Sequence, residues 1–248
     1  MSSLASPAPE KQRRPRGHEV TRVEAFSDAV FAFAATLLVV SLEVPHTYPE
    51  LMANLRGFIA FGLSFTMLVL IWAAHNGFFR RYGLQDSRTV VLNSVLLFVV
   101  LFYVYPLKFL FTVFVGQFVH VGPATESHGV MIAPHDVPSL MMVYGLGFVA
   151  VFSCLALLYA HAWARREELG LDAAERIEAR IWFRHYLIFV GVGLLSIGLA
   201  AAGVGFRYGL PGFIYSLLGP LCWWNGELGG RRKRALELPG TSGTSASA

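Results

Sequence analysis

The sequence predicts an all-α, polytopic membrane protein with six transmembrane helices, and three observations carry that expectation. Hydrophobic residues make up 55% of the 248 positions and charged residues only 15%. A soluble domain carries roughly 25% charged residues, because its surface has to meet water. Mean hydropathy is +0.54. The apolar residues also gather in six runs close to the roughly 20 residues that a helix needs to cross the hydrocarbon layer. With 20 phenylalanines the chain is too rich in core-forming residues to be disordered over most of its length. Its two cysteines, Cys154 and Cys222, lie inside apolar runs, which excludes a disulfide-stapled secreted fold.

The expected spans are residues 25–42, 57–74, 90–115, 140–164, 186–206 and 210–224. The third is interrupted by Lys108. The sixth is short and follows a Tyr208-Gly209-Leu210-Pro211-Gly212 turn, so the last two spans are expected to form a hairpin. Gly198 and Ala202, one turn apart in the fifth span, predict close helix packing there. Trp163, Trp182, Trp223, Trp224 and Tyr186 read as an interfacial aromatic belt.

Charge orients the bundle. All but three of the 20 basic residues fall on alternate connections: before the first span, between the second and third, between the fourth and fifth, and after the sixth. The exceptions are Arg56, Lys108 and Arg207. Positively charged loops stay in the cytoplasm, so both termini are expected there, at the cell membrane. That placement needs an even number of spans and agrees with six. The net charge of +4 is therefore read as topology rather than as a nucleic-acid surface. The expected organisation is a polar N-terminal tail over 1–21, a membrane domain over 22–228, and a basic, then disordered, C-terminal tail over 229–248.

Two connections carry further polar residues. Residues 165–184 mix Glu167, Glu168, Asp172, Glu175 and Glu178 with five arginines, the pattern of a solvated helix or helical extension. Residues 116–137 contain His120, His128 and His135, whose spacings of eight and seven match no local metal-ligand motif. No metal and no cofactor is expected. Nor is there a Ser/His/Asp set, a phosphate-binding glycine loop or a CxxC pair, so an enzyme is not expected.

An ionisable residue inside a spanning helix is costly and points to a partner or a function. Asp28 is such a residue. His75 at the end of the second span and Asn93 near the start of the third lie at a similar depth, so one shared network is expected. At 100° per residue, Phe26, Ala29, Phe33, Leu37 and Val40 share a stripe of the first helix, with Thr36 about 60° from Phe33. Asp28 lies about 140° and Ser27 about 120° from Phe33. Periodicity alone allows that apolar stripe to face lipid or a pore.

The run Arg22-x-x-x-Phe26-Ser27-Asp28, continuing through Ala29 to Val40, resembles the signature first helix of the transmembrane protein 175 potassium channel family. Trp72-x-x-His75 and Asn93 are similar to that family's polar positions in its second and third helices. The resemblance covers nearly the whole chain apart from the tails. It implies the prokaryotic, single-repeat form, a homotetramer in membrane lipid with the first helix of each subunit around a central pore. Phe33, Thr36, Leu37 and Val40 would then face inward as the constriction and potassium would be the permeant ion. Arg22, Ser27, Asp28, His75 and Asn93 would form the structural polar network. Phe33 departs from the Ile or Leu more usual in the family and makes a bulkier ring. The Thr-Val-Gly-Tyr-Gly filter of ordinary potassium channels is missing, and Val143-Tyr144-Gly145 inside the fourth span is only a superficial echo of it. The alternative is a proton-coupled ion carrier with Asp28 and His75 as its relay.

Overall fold

The computed structural model describes residues 20–40, 44–118, 135–204 and 210–237. Among them there are helices and connections but no strand. Five helices are long and apolar enough to cross a membrane: α1 (Arg22–Val40), α2 (Tyr48–Tyr82), α3 (Ser87–Phe118), α4 (Val137–Ala164) and α5 (Ala173–Ala201). The sixth segment is composite. A short α6 (Leu210–Phe213) passes through a 3-10 turn (Ile214–Leu217) into α7 (Leu218–Glu237). The tail boundary expected at residue 228 thus falls inside α7.

The helices outrun the apolar runs used to find them. α2 has 35 residues where hydropathy marks 57–74, because capping sets helix ends and apolarity does not. Thr47 caps its start in extended backbone (φ −132°), with its hydroxyl accepting from Glu50 N–H. Gly83 ends it in the left-handed region (φ +57°), donating to the Phe79 carbonyl. α5 likewise begins well before residue 186, at a capping box: Asp172 accepts from Glu175 N–H (2.8 Å) and Glu175 accepts from Asp172 N–H (2.9 Å). The mixed-charge stretch is therefore largely a helical extension of α5.

α1 packs on α2 and α3, α3 packs on α4, and α4 and α5 form the most extensively packed pair, with α7 against α5. An aromatic seam joins these layers. Phe78 meets Tyr159 edge-on at 5.1 Å, Tyr159 lies 5.5 Å from Tyr186, and Phe152 is 4.4 Å from Phe189. Tyr186 is buried in this seam, so it belongs to the core and not to an interfacial belt. The close approach expected at Gly198 is not there: that glycine is exposed and has open space beside it. Helix α5 instead meets α4 at Gly193, where a Cβ would sit 2.6 Å from Val149 Cγ2. Two side-chain bonds hold the composite sixth segment: Ser196 Oγ donates to the Pro211 carbonyl (2.7 Å) in a buried contact, and Asn225 Nδ2 donates to the Ile181 carbonyl (3.1 Å) in a half-buried one.

Candidate functional site

α1 is launched by a capping box. Glu24 N–H donates to Thr21 Oγ1 (3.1 Å), and Thr21 N–H donates to Glu24 Oε2 (2.8 Å). Glu24 is buried, and sequence reading passes over it although Thr-x-x-Glu ahead of an apolar run is its signature. Arg22 is exposed at the same end and makes no hydrogen bond or ion pair among the described residues.

Ser27 and Asp28 lie about two turns into α1, His75 about two turns before the end of α2, and Asn93 about two turns into α3. The three helices therefore bring polar groups to one level. His75 Nε2 and Asn93 Oδ1 are 2.7 Å apart, and Asn93 Nδ2 donates to Ser27 Oγ at 2.9 Å. Ser27 in turn donates to the Val23 carbonyl (2.7 Å). With the amide oxygen as acceptor, the His75 proton resides on Nε2, and the bonds run head to tail from α2 through α3 to α1. Ser27, His75 and Asn93 are all buried, and Phe31 and Phe79 flank the imidazole at 5.5 and 4.6 Å.

Asp28 stands apart from this chain of bonds. Its Oδ1 accepts from Trp72 Nε1 of α2 at 2.7 Å, on the exposed side of the helix. The sequence groups Asp28 with His75 and Asn93 in one network, and the structure leaves Asp28 outside it. Adjacent residues on a helix point about 100° apart, so only one of Ser27 and Asp28 can enter the buried seam with α3. The small hydroxyl occupies it, and the carboxylate turns to the indole.

The pore-side residues named from sequence lie on the open face of α1. Phe33 is 56% exposed, Leu37 39% and Val40 72%, and Thr36 is exposed beside them. The opposite face, Phe31, Ala34 and Leu38, is buried against α2 and α3. Thr36 Oγ1 donates to the Ala32 carbonyl (3.0 Å), so its proton is engaged and its lone pairs face outward. Val143-Tyr144-Gly145 lies inside α4, with Tyr144 and Gly145 buried, and forms no loop. His120 and His128 lie outside the described residues, and His135 is exposed. No group of three potential metal ligands occurs among the described residues.

A second polar cluster was not foreseen. Asp86, just before α3, accepts from Thr89 Oγ1 (2.6 Å) and pairs with His161 Nε2 of α4 (2.8 Å), with Arg165 at 3.4 Å. Partial burial acts to raise the Asp86 carboxyl. The bonds from Thr89 and His161, with the charges of His161 and Arg165, outweigh it and hold the group below its ordinary value. A contact across 75 positions leaves no local signal to find it by.

Long apolar helices that carry a buried polar seam at one level define a polytopic α-helical membrane protein. Comparison with known proteins narrows the class. A family model described as the endosomal/lysosomal potassium channel TMEM175 matches residues 22–103. A potassium channel of Marivirga tractuosa is 38% identical over 228 residues, covering 89% of this chain and 92% of that protein. One from Chamaesiphon minutus is 27% identical, covering 79% of this chain and 91% of its own length. A crystal structure of the potassium channel MtTMEM175, solved as a variant bound to a nanobody fusion, superposes with a TM-score of 0.76 at 35% identity. That match covers 91% of this chain and 100% of the other. The chain belongs to the TMEM175 potassium channel family, a family of ion channels and not of enzymes.

Proposed function

We propose that this chain is a potassium-preferring cation channel of the cell membrane in which four copies gather α1 around a common axis, with both termini cytoplasmic. The constriction is formed by Phe33, Thr36, Leu37 and Val40 of each copy, and no carbonyl filter is involved. The observation that carries this reading is the two-sided character of α1. One face is locked to α2 and α3 by Ser27, Phe31, Ala34 and Leu38, while the face bearing Phe33, Leu37 and Val40 is left open. An apolar ring narrow enough to shed its water stops ions without a moving plug, and a small lean of four helices readmits them. The free lone pairs of Thr36 replace part of an ion's hydration shell. Selectivity without a carbonyl cage is modest. Ser27, Asp28, His75 and Asn93 act as structure, holding α1 in register, with Arg22 exposed at its entry. A carrier relay from Asp28 to His75 draws no support from a geometry in which each bonds to a different partner, Trp72 and Asn93.

Three measurements test the reading. Reconstituted protein should dissipate a potassium gradient with no second ion gradient present, and bi-ionic reversal potentials should show modest preference over sodium. Cysteines placed at 33 and 37 should react with water-borne thiol reagents and abolish the flux. Reaction only from the lipid phase would refute a pore lined by α1.

A further inference from the structure

The corner between α4 and α5 carries a surface unrelated to α1. α5 has 29 residues, about 43 Å of helix, of which about 30 Å suffices to cross the hydrocarbon. Its first turns therefore stand beyond the hydrocarbon, and Arg180 and Arg184 fall near headgroup level. Arg176, Arg180 and Arg184 are one turn apart and share one stripe of the helix. Facing them is the end of α4, with Trp163 in its last turn and Arg166 just past it.

Between the two helices lies a groove of about 470 Å³ lined by Ala160, Trp163, Arg180, Phe183 and Arg184. A second hollow of about 370 Å³ shares Trp163 and Arg180 and adds Arg166 and Arg176. The guanidinium groups of Arg180 and Arg166 stack over the Trp163 ring at 4.2 and 4.9 Å. Arg176 Nε donates to the Leu171 carbonyl (2.9 Å). Arg184 Nε is shielded from solvent and has no hydrogen-bond partner.

The nearby acids are engaged elsewhere. Glu178 pairs with Arg81 (2.8 Å), Glu168 with Arg165, and Asp172 with Glu175 in the capping box. Glu167 reaches Arg166 only at 3.7 Å. Arg180 and Arg184 have no ion pair among the described residues, so the groove holds uncompensated positive charge. Topology explains how many arginines lie at this end, but not why two stack on one indole above an apolar wall. The direction of the chains adds an amphipathic gradient. Arg166 and Arg176 lie on the aqueous side, while Ala160 of α4 and Phe183 of α5 lie toward the membrane interior. Arg184, one position past Phe183, carries a charge down to the apolar level, so the outer end of the groove is charged and the inner end is an apolar wall with a single guanidinium, which suits an amphiphile better than a soluble anion.

We propose that this groove binds an anionic phospholipid, its phosphate held by Arg180 and Arg184 and its glycerol and upper acyl region against Ala160, Phe183 and the Trp163 ring. The test is native mass spectrometry of the full chain released from nanodiscs of equal parts phosphatidylglycerol and phosphatidylcholine. Wild-type protein should retain phosphatidylglycerol in preference by about tenfold. Arg180→Gln with Arg184→Gln should abolish that preference, and the corresponding pair of lysine substitutions should restore part of it. Arg88→Gln, which removes a charge from an exposed site elsewhere, should leave it intact. Equal retention of the two lipids by wild-type protein overturns the proposal without recourse to a variant, as does full retention by the Gln pair. Displacement of the lipid by millimolar glycerol phosphate would reassign the groove to soluble anions and overturn it too.

Discussion

Asn93 is the residue on which the polar seam depends, because its amide serves α1 and α2 at once. Asn93→Leu, close in size, leaves Ser27 its bond to Val23 but strands the His75 proton in a buried site where Nδ1 already has no partner. The expected loss is about 1–3 kcal/mol, read as a lower unfolding temperature in detergent by size-exclusion thermal denaturation. Ser27→Ala should cost less, since Asn93 keeps His75. A Leu variant as stable as the parent would remove the seam from any structural role. Depth within an apolar run is enough to bring His75 and Asn93 together from the sequence, while Ser27 enters the network only with the family resemblance. Depth is not enough to aim Asp28, because it says nothing of azimuth once two adjacent residues are both polar. Trp72, the actual partner, was in view only as part of a motif.

At the scale of elements, apolarity located the spans and missed their ends. α2 and α5 continue past the greasy stretch because Thr47, Gly83 and the Asp172–Glu175 box decide where helical hydrogen bonding stops. Glycine spacing misled in a similar way. Gly198 and Gly193 are equally conspicuous in the sequence, yet only Gly193 faces α4, and the facing side depends on a partner that the sequence does not contain. Gly193→Leu should force α5 from α4 at Val149 and Phe148, at an overpacking cost of about 1–3 kcal/mol. Gly198→Ala, in open space on a helix, should be neutral or stabilising by about 0.5–1 kcal/mol. Thermal unfolding of the two variants side by side checks both expectations. The reverse order would mean that the two helices meet along another face.

At the scale of the molecule, the α1–α2–α3 group and the α4–α5–α7 group are joined partly through one carboxylate. Asp86 ties the α2–α3 corner to His161 and Arg165. Its pKa lies below the ordinary value, so the stabilisation is present above the unfolded carboxylate pKa, near 3.9, and fades as pH falls through the lower folded value. Wild-type protein should therefore lose more stability than Asp86→Asn as pH is lowered from about 5 to about 3. Parallel acid curves would show that the corner carries no such linkage.

The two side-chain hydrogen bonds that tie α1 to its neighbours among the described residues leave from Ser27 and Asp28, both near one end. Above them the helix is held by apolar contacts, which slide more easily than hydrogen bonds shear. The rod is therefore pinned by hydrogen bonds at Asn93 and Trp72 and held by packing alone over the roughly 20 Å beyond them to Val40. A lean of about 10° about that point sweeps the Val40 level through about 3 Å and the Phe33 level through about half of that. In the proposed four-copy assembly, a widening driven by such a swing is graded along the helix, largest at Val40 and least beside the anchor.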